Sequence, residues 1–136
     1  MLIQNYFENP AVIRIGALPA CSYFIPADNE HAARLRREYS GRFHSLNGRW
    51  RFGFFENVRA LTAPLWEDIG LMDGYGYIDL PSSWQMKGFD QQQYVNIRYP
   101  FPFDPPFVPF ENPCGVYMRS FTYDKRAGTR AVLNCE

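Results

Sequence analysis

The stretch Arg49-Trp50-Arg51-Phe52-Gly53-Phe54 sets Trp50, Phe52 and Phe54 at every second position, with Arg49, Arg51 and Gly53 between them. Successive side chains of a strand point to opposite faces, so this pattern predicts a strand with three rings on one buried face. Asn47-Gly48 just before it is a turn signal. Three further segments read as strands. Tyr75 to Leu80 is stopped by Pro81, which has no N–H for a ladder. Val116 to Tyr123 aligns Tyr117, Phe121 and Tyr123 on one face. Arg130 to Cys135 alternates Ala131, Leu133 and Cys135 with Arg130, Val132 and Asn134, and Asp124-Lys125-Arg126-Ala127-Gly128 suits a hairpin connection into it.

Residues 1 to 45 show no sustained period and are expected to form an extended arm. Their best helix signal is Pro26 to Tyr39, with Asp28 or Asn29 as cap before Glu30-His31-Ala32-Ala33-Arg34-Leu35. Between the second and third strands lies Tyr99 to Pro113, YPFPFDPPFVPFENP, in which Phe101, Phe103, Phe107 and Phe110 sit among prolines. Exposing such rings to water is unfavourable, so an ordered loop packed on the domain or on a neighbour is expected. The last strand runs to Glu136 without a closing turn, and a two-layer sandwich usually needs about seven strands, so the sheet is expected to be incomplete at its carboxyl end.

Composition narrows the function. Of 136 residues, 46% are hydrophobic and 18% aromatic, which suits one packed β domain. Lys+Arg and Asp+Glu are 14 each, so no field of one sign recruits nucleic acid or an anionic membrane. Arg34, Arg36 and Arg37 lie beside Glu30 and Glu38 and read as a solvated face. Cys21, Cys114 and Cys135 are odd in number and far apart, and His31 and His44 lack ligand spacing, so free thiols and no metal are expected. With no basic-then-apolar start in MLIQNYFENP, the cytoplasm is the expected location.

No catalytic constellation stands out. Glu67 and Asp68 are adjacent and would point apart in a strand, whereas Asp104 and Glu111 share the proline loop and could approach one another. A glycosidase holds two carboxyl groups roughly 5–9.5 Å apart, and nothing here fixes such a pair. The run Trp84 to Tyr99 combines flat rings with Gln85, Asp90, Gln91, Gln92, Gln93, Asn96 and Arg98. Sugars are bound by that mixture, yet composition alone favours an ordinary polar loop whose rings serve the core. P-x-x-P spacings at Pro102 to Pro105 and Pro106 to Pro109 leave room for a polyproline ligand.

Several blocks resemble one family. Ser45-Leu46-Asn47-Gly48-Arg49-Trp50-Arg51-Phe52 is similar to the S-L-N-G-x-W-x-F opening of the sugar-binding domain in family 2 glycoside hydrolases. Leu80-Pro81-Ser82-Ser83-Trp84-Gln85-Met86 resembles V-P-S-N-W-Q-M, with Ser83 in place of Asn, and Tyr94-Val95-Asn96-Ile97-Arg98-Tyr99-Pro100 resembles Y-x-N-x-x-Y-P. Pro105-Pro106-Phe107-Val108-Pro109 and Glu111-Asn112-Pro113-Cys114-Gly115 resemble P-P-x-V-P-x-E-N-P-x-G, which points to the large β-galactosidases of that family. Phe7-Glu8-Asn9-Pro10 is similar to their W-E-N-P arm.

The resemblance implies an all-β, jelly-roll β-sandwich of the galactose-binding-domain type over residues 46–136, truncated at its carboxyl end, preceded by an arm over 1–45. It implies retaining hydrolysis of terminal β-D-galactosides by the full-length enzyme, with both catalytic glutamates in a barrel domain and none in this chain. Asn96 matches an asparagine that reaches the galactoside, as an amide offers both donor and acceptor to hydroxyls. The family's accessory Mg²⁺ takes an acidic residue just before W-E-N-P; here Tyr6 stands there, with Asn9 and Val12 matching, so no metal is expected on the arm. The family's principal Mg²⁺ and Na⁺ belong to the barrel, so no cofactor is expected in this chain. Implied partners are a galactoside, the remaining domains of the enzyme, and further copies in a homo-oligomer. A stand-alone carbohydrate-binding module and a polyproline interaction protein are the alternatives.

Overall fold

A computed structural model of the chain describes residues 5–61, 75–92, 96 and 102–135. Its centre is an antiparallel sheet of β1 (Gly48–Phe55), β2 (Gly76–Leu80) and β3 (Cys114–Met118), in the order β2-β1-β3. Trp50 faces Ile78 across one ladder, while Phe52 faces Tyr117 and Phe54 faces Gly115 across the other. The alternation therefore puts Trp50, Phe52, Phe54, Ile78, Gly115 and Tyr117 on one face, as the spacing predicts. Phe52, at 1% exposure, is the most enclosed of them, and Ile78 is also buried.

The opposite face is also covered. Phe55 packs edge-on against Tyr75, with ring centroids 5.7 Å apart, and buried Leu61 gathers Phe55, Val58, Tyr75, Cys114, Val116 and Met118. Gly53 lies beneath the Tyr75 ring, where a Cβ would come within 3.1 Å of it. The expectation of one buried face thus holds for the Trp50 side and falls short on the other. Arg49 nevertheless stays exposed on that second face, its guanidinium 4.1 Å from the Tyr77 ring centroid.

Asn47-Gly48 forms no hairpin turn. Gly48 opens β1 opposite Leu80 with φ +118, a backbone region that favours glycine. The Arg119 guanidinium donates from Nη1 to the carbonyls of Leu46 and Asn47, both at 2.7 Å, and the Trp50 indole donates to the Leu46 carbonyl at 2.8 Å. β2 ends before Pro81, as expected.

The third and fourth expected strands need correction. β3 starts at Cys114 and stops at Met118, so it is earlier and shorter than Val116 to Tyr123. Past Met118, Arg119 spends its donors on the 46–47 carbonyls, and Phe121 and Tyr123 flank His44 at ring distances of 5.9 and 5.8 Å. Residues 130–135 are not a strand, and Val132 and Leu133 are exposed. The connection before them does turn, through Gly128 at φ +74 and Thr129 N–H donating to the Arg126 carbonyl at 3.2 Å. Alternation defines faces, but a strand also needs a ladder partner, and none of the described strands pairs with this segment.

The Pro26 to Tyr39 helix contracts to one turn, α1 (Glu30–Ala33), and a 3₁₀ turn at Arg37–Tyr39. Asn29, the expected alternative to Asp28, caps α1 by accepting from the Ala32 N–H at 2.8 Å. No residue of α1 is buried, so nothing carries the helix past its nucleating turn. The arginine cluster is solvated as expected: Arg34 pairs with Glu30, and Arg36 and Arg37 both reach Glu38. All three cysteines are free thiols.

Candidate functional site

The segment after β2 is built on the aromatic face of the sheet. Ser82 Oγ donates to the Asp79 carbonyl at 2.6 Å and turns the chain beyond Pro81. A 3₁₀ turn at Trp84–Lys87 follows and closes at Gly88, whose φ of +83 is left-handed. Phe89 N–H then donates to the Trp84 carbonyl at 3.3 Å, which brings two rings of one short segment back over the sheet. Trp84 lies 6.1 Å from Phe52 and 5.8 Å from Phe54, and Phe89 lies 4.6 Å from Phe52. Tyr117 completes the cluster, 4.8 Å from Phe52.

Gly115 is what lets the indole sit there. A Cβ at this position would overlap the six-membered ring of Trp84 and come within 2.9 Å of Phe52 Cε2. Burial of this patch pushes the Tyr117 hydroxyl above its ordinary pKa, and burial on the opposite face does the same to the Cys114 thiol. For Trp84 and Phe89 the structure decides the question that composition left open: these rings serve the core.

Polar groups follow the rings. Asp90 accepts from the Gln91 N–H at 2.7 Å, Gln92 reaches the Met86 sulfur, and Gln91, Gln92 and Asn96 are exposed. Asn96, the substrate-contacting residue expected from sequence, is exposed and lies in a turn, six residues beyond Asp90. Its neighbours Tyr94, Ile97 and Tyr99 lie outside the described residues, as do Gln93, Arg98, Glu67 and Asp68.

Of the two expectations for the proline loop, packing on the domain or on a neighbour, burial in the domain is not found for its described rings. Phe103, Phe107 and Phe110 are all exposed and do not bury themselves in the domain; Phe101 lies outside the described residues. Phe107 N–H donates to the Asp104 carbonyl at 2.9 Å, a turn that interrupts the extended conformation a polyproline ligand requires. Asp104 and Glu111, the carboxylates that could have met in this loop, are both exposed. Among the described residues no three His, Cys, Asp or Glu side chains gather as a metal site, and no helix is long and apolar enough to cross a membrane.

On the arm, Asn9 Oδ1 accepts from the Ala11 N–H at 3.1 Å, and Tyr6 is exposed. Sequence reasoning missed one contact there. Glu8 pairs with Arg59 at 2.8 Å, across a separation of 51 residues that no local pattern encodes.

Fold and site together define an all-β domain that seats one polar connection on an aromatic sheet face. Residues 43–134 match the family model of the glycosyl hydrolases family 2, sugar binding domain, and the chain belongs to that family. It is 43% identical to a beta-galactosidase of Actinobacillus pleuropneumoniae over 100% of this chain and 13% of the relative. Beta-galactosidases of Vibrio cholerae and Staphylococcus xylosus are each 37% identical, over 97% and 92% of this chain and 13% and 12% of their own lengths. The chain thus spans about one eighth of the relatives it matches.

Proposed function

We propose that this chain is the amino-terminal, sugar-binding part of a β-galactosidase. In this reading other segments of the enzyme hydrolyse terminal β-D-galactosides with retention, and this domain shapes the site. The observation that carries the reading is similarity along essentially the whole chain to proteins named beta-galactosidase, within a family named for sugar binding. Two covered faces on a three-stranded sheet support a layered jelly-roll sandwich for residues 46–136, with 1–45 as an arm. The parent enzyme is a cytoplasmic homo-oligomer in this proposal.

Asn96 is the residue proposed to reach the galactoside, because it is an exposed amide residue on the connection that begins at Trp84 and Phe89. No cofactor is assigned to the chain. On the arm, a phenol at position 6 is a poor ligand for a hard cation, and the Asn9 amide oxygen is already engaged by Ala11.

The test is Asn96→Ala in the full-length protein, assayed with a chromogenic β-galactoside. One lost neutral hydrogen bond, worth roughly 0.5–1.5 kcal/mol, lowers kcat/KM about two- to twelvefold at unchanged thermal stability. Wild-type kinetics in that variant would remove Asn96 from the site.

A further inference from the structure

The Arg59 contacts join three parts of the chain that are distant in sequence. Arg59 sits in the 3₁₀ turn Val58–Ala60 that follows β1. Asn57 caps this turn by accepting from the Ala60 N–H at 3.0 Å, and its last carbonyl bond runs to Leu61, a core residue. The arginine is therefore tied to the rigid sheet. Its Nη2 meets Glu8 Oε1 of the arm at 2.8 Å, and its guanidinium carbon lies 5.8 Å from the Phe7 ring and 5.9 Å from the Phe110 ring.

This pair differs in setting from the surface pairs around it. The Arg59 and Glu8 side chains are 32% and 13% exposed, against 76% and 82% for Arg34 and Glu30. Shielded charges are screened less by salt and hold a more definite geometry. Phe110 is itself 71% exposed, and its contact with the guanidinium brings that end of the proline loop to the same arginine as the arm.

We propose that Arg59 is a latch that fastens the amino-terminal arm and the proline-phenylalanine loop to the sheet as one coupled unit. Glu8 holds the guanidinium within reach of both rings. Without that carboxylate the long arginine side chain regains its rotamers, and Phe7 and Phe110 lose their shared partner together. Release of the arm then loosens the loop, although the two segments are separated by more than ninety residues of sequence. The proposal does not depend on the sugar-binding reading.

Hydrogen–deuterium exchange on the full-length protein tests it, comparing wild type with Glu8→Gln, a change confined to the arm. Exchange in peptides covering 5–13 and 102–113 is expected to rise together by roughly tenfold, the equilibrium factor of one charge-assisted hydrogen bond, while β1 peptides keep their wild-type rates. Arg59→Lys, which retains charge without the planar fork, should give a smaller rise in both segments. Adding molar salt to the wild type provides a mutation-free version and, because a shielded pair is screened only in part, should speed both segments by a smaller factor than the substitution does. A rise confined to 5–13 overturns the coupling. Unchanged exchange in both segments, in the variant and in salt, overturns the latch.

Discussion

Replacing Gly115 by alanine tests the packing that seats the candidate site. The added methyl would overlap the Trp84 ring and stand 2.9 Å from Phe52 Cε2, well inside the usual carbon contact of about 3.5–4.0 Å. Phe52 is 1% exposed and has nowhere to go, so the indole must slide away from Phe52 and Phe54. Overpacking of this kind costs about 1–3 kcal/mol, and complete expulsion of the indole approaches the roughly 3–5 kcal/mol of a Trp→Ala change. Gly115 has no positive φ, so backbone strain does not enter. A sterically free Gly→Ala change would instead stabilise by about 0.4–1 kcal/mol, which makes the sign itself diagnostic. Urea unfolding followed by tryptophan fluorescence should show a loss of about 2 kcal/mol with the denaturant slope preserved. In a Trp84→Ala background the same substitution should cost at least about 1 kcal/mol less, because its main obstacle is gone. A loss below about 0.5 kcal/mol, or the same loss in both backgrounds, would show that Gly115 is not the seat of Trp84.

Arg119→Ala removes a charged donor from the carbonyls of Leu46 and Asn47, and should lower stability by roughly 1.5–3 kcal/mol in the same unfolding assay; a change within about 0.5 kcal/mol would mean water replaces the guanidinium without penalty. Burial raises the pKa of both Cys114 and Tyr117 in the folded chain. Between the unfolded and folded values the native state binds more protons, so stability falls as pH rises, from about pH 8.5 for the thiol and about pH 10 for the phenol. Cys114→Ala should flatten the earlier part of that decline, and a stability curve unchanged by the substitution would remove the thiol as its source.

The aromatic strand was legible because its information is local. Trp50, Phe52 and Phe54 recur at the strand period, and Pro81 marks where β2 must stop. What sequence could not supply was partnership. Arg130 to Cys135 alternates as well as β1 does, yet no described strand ladders with it. Pro26 to Tyr39 carried a correct cap in Asn29, but a cap starts a helix and only packing extends it, so α1 ends after one turn. For the site, Asn96 is proposed through a motif alone, since an exposed asparagine has no periodic signature. Gly115 and Glu8 each fall within a family-like block, but that block does not say what they touch, because each contact is made by a remote segment.

The two faces of β1 have different consequences for the site. On the Leu61 side the cover comes from residues adjacent to the strands themselves, and it fixes the sheet and the Arg59 turn. On the Phe52 side it comes from Trp84 and Phe89, which belong to the connection that leads to Asn96. A ring in that position does two things at once: it buries apolar surface, and it sets the starting point of the polar residues that follow. The same logic explains a glycine in β3. At position 115 any larger residue would strengthen the strand locally and displace the ring that anchors the connection, and the anchoring contact outweighs a few tenths of a kcal/mol of strand preference.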